Sequence, residues 1–271
     1  MRLIGIRRDN VSQVAVLDGD QVRPVATLDE FWADPQAALE RAASQPGDPI
    51  NYDEAARIPP VPPSARVLCL GLNYREHAAE GKFDVPTKPT IFGRWTASLS
   101  VDGEPAEVPV DERGLDWEGE IAAWVGAPLK NVSADEARAG VLGYSTFNDL
   151  SARRAQKMSR QWTLGKNADK SGPIGPIVTA DEVGDLRDGL RVVTRVNGTV
   201  VQDGNSADMI FEVGEVLATI SRTMTLNPGD IIVTGTPSGV GYVRTPPWLL
   251  TSGDVVEVEV DRLGTLRTPI A

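Results

Sequence analysis

The stretch Leu115-Asp116-Trp117-Glu118-Gly119-Glu120-Ile121 alternates apolar or small residues with acids. At the strand period of two, Leu115, Trp117, Gly119 and Ile121 share one face and Asp116, Glu118 and Glu120 the other. Neighbours on one strand face start about 7 Å apart and can converge on a single ion. Three acids in a row repel one another, which leaves two outcomes. One is a solvated strand face; the other is a divalent cation site that needs a further oxygen ligand from elsewhere. Asp149, in Phe147-Asn148-Asp149-Leu150-Ser151-Ala152-Arg153, is a candidate for that ligand, although an aspartate there serves equally as a helix cap or an Asx turn.

Outward from this stretch the text is mostly strand and turn. Asn197-Gly198 lies between two strand-like runs and marks a hairpin, because both turn positions want φ > 0. Pro228-Gly229-Asp230 introduces a strand over 231–234, and Gly253-Asp254 introduces an alternating one over 255–260. Ser133-Ala134-Asp135-Glu136 is a capping box, and Ile210, Val213, Leu217 and Ile220 form a helical stripe. The elements do not alternate as βαβ units, so the expected class is α+β, mainly β: a mixed, largely antiparallel sandwich or roll. Four prolines in Pro59-Pro60-Val61-Pro62-Pro63 exclude regular structure. They divide the chain into a small N-terminal α/β unit (1–58), a linker (59–65) and a large domain (66–271). The small unit reads as strands over 3–6 and 13–17 and a helix over 29–43.

Composition narrows the chemistry. The 271 residues carry 27 Lys and Arg against 38 Asp and Glu, a formal charge of −11, which argues against binding to nucleic acid. There is one Cys and one His, too few for a typical zinc site, so any metal must be a hard cation held mostly by oxygen. Cys69 cannot form an internal disulfide, and no apolar run approaches a signal segment or a membrane span. The expectation is a cytoplasmic protein with no membrane partner.

Three further segments carry candidate chemistry. In Gly71-Leu72-Asn73-Tyr74-Arg75-Glu76-His77-Ala78-Ala79-Glu80, helical spacing makes His77 and Glu80 neighbours. A carboxylate beside an imidazole raises its basicity and fixes its tautomer, as a general base requires; a surface ion pair is the ordinary alternative. Lys166 lies in a rigid, turn-rich context, although most lysines are simply solvated. Gly235-Thr236-Pro237-Ser238-Gly239-Val240-Gly241 follows a strand and could present backbone N–H groups to an anion.

Taken together, GLNYREHAAE, LDWEGEIAAWVG, GYSTFNDLSARRAQ, LGKNADKSGPIGP, VNGTVVQ, LNPGDIIVTGTPSGVG and SGDVVEVEV occur in an order that resembles the fumarylacetoacetate hydrolase family, from about Val67 to the C-terminus. The resemblance implies one Mg²⁺ or Mn²⁺ per subunit on Glu118, Glu120 and Asp149, and a water-activating pair His77 and Glu80. It implies Lys166 and Gln156 as stabilisers of developing negative charge, Thr236 as the receiver of a substrate carboxylate, and Arg153 and Tyr74 as further substrate contacts. Arg94, where many relatives carry Lys, Asn167-Ala168-Asp169 and the stretch 95–110 depart from the family pattern in what should be the pocket wall.

The implied activity is hydrolysis of a C–C bond in a 2,4-dioxo acid of the acylpyruvate type, giving a 2-oxo acid and a carboxylic acid. Oxaloacetate decarboxylation or hydroxymuconate-type isomerisation would use the same site. A non-catalytic, metal-dependent dicarboxylate binder is the alternative of another class, and it would have no need of a His77–Glu80 base. A homodimer is also expected by analogy. Trp117, Ile121 and the stretch 242–250 supply apolar surface for pairing, unless that stretch folds back as a lid on its own subunit.

Overall fold

The computed structural model describes residues 1–45, 47–81 and 84–271. Its spine is an eleven-stranded sheet. From one edge it runs Ile50–Asn51, Gln21–Thr27, Val11–Asp18, Arg2–Arg8, Ile177–Thr179, Val141–Asn148, Gly119–Val125, Ile231–Val233, Val67–Gly71 and Thr90–Arg94, with Ala56–Ile58 beside Arg2–Arg8. Every pairing in it is antiparallel except Ile231–Val233 with Val67–Gly71. A second, antiparallel sheet has the order Thr199–Asn205, Arg191–Val196, Val255–Val260, Gly264–Pro269. It covers the centre of the first, giving the mixed sandwich expected.

The alternation at 115–121 explains how the layers meet. Ile121 packs with Val192 and Val258 of the smaller sheet, and Trp117 with Val196, Val201 and Val256. Gly119 is a glycine because the sheets touch there: a Cβ would lie 2.3 Å from Thr194 Oγ1. The acidic face is covered as well, with Glu118 and Glu120 7% and 1% exposed, so it is no solvated strand face. The helix Val213–Ser221 packs against Ala134–Ala139, whose Ser133–Glu136 capping box is formed as read. Asn197 and Gly198 adopt φ of 49° and 81° at the hairpin turn.

The proline segment separates two stretches in sequence, but sheet and core run through both. Arg2 and Leu3 pair with Val178 and Ile177 of the large domain. Trp32 stacks on Trp124 of the central sheet at 5.6 Å and donates its indole N–H to Pro60 O at 2.9 Å. Two details of the N-terminal reading change. The helix over 29–43 is two, Leu28–Ala33 and Pro35–Ser44, because Pro35 begins a new helix capped by Asp34. A third strand, Gln21–Thr27, runs through Pro24 beside a bulge, where the missing N–H is tolerated.

Part of the apolar surface invoked for pairing is covered within one chain and part is not. Trp117 and Ile121 are fully buried, and Trp248 packs edge-on against Trp117 at 5.3 Å. The end of the stretch 242–250 thus folds back onto its own subunit, while Tyr242 and Val243 are 37% and 40% exposed.

Candidate metal centre and active site

Two paired strands bring the acids together. Glu118 and Glu120 enter with the strand Gly119–Val125, and Asp149 leaves the end of its partner Val141–Asn148, where Asp149 N–H donates to Glu118 O at 2.9 Å. Ligand atoms of the three carboxylates lie within 4.8 Å of one another, and all three residues are buried. Lys166, 2% exposed, donates Nζ–H to Glu118 Oε2 at 2.5 Å and Asp149 Oδ2 at 2.7 Å. Arg153 bridges Glu118 Oε1 at 2.7 Å and Asp116 Oδ2 at 2.6 Å. Behind Asp149, Arg94 donates Nε–H to Oδ1 at 2.5 Å, and its two terminal nitrogens donate to Ser98, Ser171 and the Leu150 and Ser171 carbonyls.

The charges follow from this packing. Burial alone would raise the Glu118 carboxyl, but Lys166 and Arg153 outweigh it and hold the group at about 2. Glu120 has no such partner. Burial, then repulsion from Asp149 and Glu118, pushes it well above the carboxylate range. Burial would lower the Lys166 amine, yet Asp149 and Glu118 raise it. Four acids (Asp116, Glu118, Glu120, Asp149) face three cations (Arg94, Arg153, Lys166), one negative charge in excess. Oxygen-only donors with that excess fit a hard divalent cation on Glu118, Glu120 and Asp149.

The lone imidazole stands beside this cluster. Asn73 pins the turn before the helix Arg75–Glu80, donating to the Thr234 and Phe211 carbonyls and accepting from Phe211 N–H. His77 Nδ1 and Glu80 Oε2 are 3.1 Å apart, leaving Nε2 for chemistry. The Gly-rich loop does offer its amides to anions, but to the protein's own. Gly235 N–H donates to Glu120 Oε2 at 2.6 Å, Gly239 N–H to Glu80 Oε1 at 2.9 Å, and Gly241 N–H to Asp116 Oδ1 at 2.7 Å. Gly235 and Gly239 have φ of 88° and 103°, which side chains disfavour.

A cavity of about 710 Å³ is lined by His77, Glu118, Glu120, Lys166, Arg153, Gln156 and Thr236, with apolar walls that include Phe92 and Trp162. Three expectations change in detail. Tyr74 is 1% exposed and is not among the residues lining the cavity, with its hydroxyl among the buried polar atoms lacking a partner. Thr236 borders the cavity, but its hydroxyl donates to Gly119 O and accepts from Gln202. Gln156 lines the cavity with Lys166 and accepts from Arg153 Nη1 at 3.0 Å. Asp116, read with the acidic face, anchors Arg153 and the loop, and Arg94 is a buried clamp on Asp149 instead of a pocket wall.

With this geometry in place, a match of residues 66–271 to the fumarylacetoacetate hydrolase C-terminal family model decides the family. The chain belongs to the fumarylacetoacetate hydrolase family. It is 36% identical over 267 residues to oxaloacetate tautomerase YisK of Bacillus subtilis, covering 95% of this chain and 88% of that one. It is 38% identical over 224 residues to the mitochondrial oxaloacetate tautomerase fahd2 of Xenopus laevis, covering 82% and 70%. Among solved structures it resembles 2-hydroxyhepta-2,4-diene-1,7-dioate isomerase from Mycobacterium marinum, with a TM-score of 0.79, 31% identity and coverage of 100% and 98%. Among the described residues no helix is long and apolar enough to cross a membrane.

Proposed function

We propose that this family member interconverts the keto and enol forms of a 2-oxo diacid of the oxaloacetate type. The supporting observation is a single imidazole, fixed by a carboxylate, at a cavity floored by Glu118, Glu120 and Lys166. The names of the relatives favour such proton-shifting chemistry over the C–C hydrolysis that the sequence reading put first. Glu118, Glu120 and Asp149 would hold one Mg²⁺ or Mn²⁺ per subunit, which when bound supplies Lewis acidity toward the 2-oxo group. With a divalent ion and all acids ionised, the site carries one net positive charge, suited to an anionic substrate.

The chain's residues account for the proton movements. Glu80 holds His77 Nδ1, so Nε2 takes a proton from C3 of the keto acid. The C3–H electron pair becomes the C2=C3 bond, the carbonyl π pair moves to the C2 oxygen, and that oxygen takes a proton from solvent to give the enol while His77 returns the C3 proton to solvent. The reverse sequence returns the proton to C3. Lys166, fixed by Glu118 and Asp149, places positive charge next to the reacting end, and Arg153 keeps Glu118 in position.

The test follows enol-oxaloacetate absorbance with and without Mg²⁺, beside pyruvate release from an acylpyruvate and CO₂ loss from oxaloacetate. The proposal expects Mg²⁺-dependent acceleration of tautomerisation that is lost on chelation. Rapid pyruvate release without that acceleration overturns it and restores hydrolysis.

A further inference from the structure

We infer that Lys157 and Tyr242 form a specificity pair at the cavity mouth that selects substrates bearing a second, remote carboxylate. The inference rests on the reading of the cavity as a 2-oxo acid site. The reacting end of such an acid, a carboxylate and one carbonyl, is small beside a cavity of 710 Å³. The lining also includes the apolar Leu72, Phe92, Trp162 and Val240. At the outer end both Lys157 and Tyr242 are exposed.

Among the described residues three cations line the cavity: Arg153, Lys157 and Lys166. Two of them are engaged by the protein's own carboxylates. Among the described residues no carboxylate lies within ion-pair distance of Lys157. Its ammonium sits 3.8 Å from the centre of the Tyr242 ring and bonds the Tyr242 hydroxyl. An ammonium has three protons, so at least one remains for a ligand oxygen.

Both members are tied to the site. Lys157 N–H closes the helix Arg153–Gln156 that carries Arg153. Tyr242 N–H donates to Asp116 Oδ2 at 3.3 Å, next to the Gly241 bond. Both residues are thus tied to elements that also carry residues of the charged floor, in a cavity whose lining includes Leu72, Phe92, Trp162 and Val240. That arrangement suits a 2-oxo diacid longer than oxaloacetate, with an apolar spacer: the 2-oxo acid end on the floor, the far carboxylate on Lys157. A monoacid leaves the ammonium without its ionic partner, and the difference between the two is the selectivity.

The probes are 2-oxoadipate and 2-oxohexanoate, equal in chain length and differing by a terminal carboxylate in place of a methyl. Calorimetry on the full chain with Mg²⁺ should give a dissociation constant roughly ten- to a hundredfold lower for the diacid. Lys157→Met should bring that ratio close to one, and Lys157→Arg should restore most of it. A wild-type protein without preference, or a preference undiminished in Lys157→Met, overturns the inference. Deuterium incorporation at C3, followed by NMR on the same samples, reports separately on the proposed reaction. Its absence with both acids would refute tautomerisation, while the ratio of dissociation constants still decides the role of Lys157.

Discussion

Replacing Arg94 with Met removes five hydrogen bonds around Asp149 and leaves that buried carboxylate with Lys166 as its remaining cation. Breaking a buried ion pair by deleting one partner costs about 3–5 kcal/mol. Lys166 keeps part of the compensation, so about 3 kcal/mol is expected, or a fall in Tm of roughly 6–12 °C for a chain of this size. Because the lost group is a positive charge beside the acid cluster, saturating Mg²⁺ should raise Tm more in Arg94→Met than in the wild type. Arg94→Lys keeps the charge but not the planar fork that reaches Ser171 and Leu150 together, and should fall between the two. Thermal unfolding with and without Mg²⁺ measures all three proteins. A metal-free Arg94→Met that melts within about 2 °C of wild type, under one kcal/mol on the same scale, would show that Arg94 does not carry Asp149.

His77→Ala should slow tautomerisation about 10²- to 10⁴-fold with Mg²⁺ binding retained by calorimetry, and Glu80→Gln should act in the same direction; an unchanged rate would assign proton transfer elsewhere. Glu118→Ala, Glu120→Ala and Asp149→Ala should each abolish Mg²⁺-dependent activity and calorimetric Mg²⁺ binding. Glu120 is held above its unfolded value, so the native metal-free protein binds the extra proton. Metal-free stability from this group is therefore full below the ordinary carboxylate value and declines as pH rises to the folded one. Mg²⁺ needs the ionised acid, so its Tm gain should grow over the same window; a gain independent of pH would refute this. Light scattering at micromolar concentration should give twice the single-chain mass for a homodimer, and a monomer mass would remove it.

The alternation at 115–121 revealed the two faces of the strand, and local chemistry revealed the hairpin at Asn197-Gly198 and the cap at Ser133. These signals arise from neighbouring residues, whose geometry the backbone fixes. Whether the acid face meets water or protein depends on what the chain lays over it, which no spacing encodes. Arg94 shows the same limit: it closes an edge strand of ordinary composition, and its partner is 55 residues away. Tyr74 adjoins the His77 helix in sequence, yet the turn held by Asn73 sends its ring into the interior. The paired helices after Thr27 were legible in Asp34-Pro35 and were obscured by an apolar pattern continuing through both.

The Gly-rich loop acts as a ruler. Its amides at 235, 239 and 241 grip acids from three separate elements: a central strand, the His77 helix and the approach to the strand. Surface loops ordinarily accept insertions and deletions, but here a change of one residue would throw at least one acid out of phase with the others. Length in this loop should accordingly be invariant while its outward side chains are free to vary. Efforts to change substrate range should exchange residues at 240, 242 and 243, which face the cavity, and leave the count between Gly235 and Gly241 untouched.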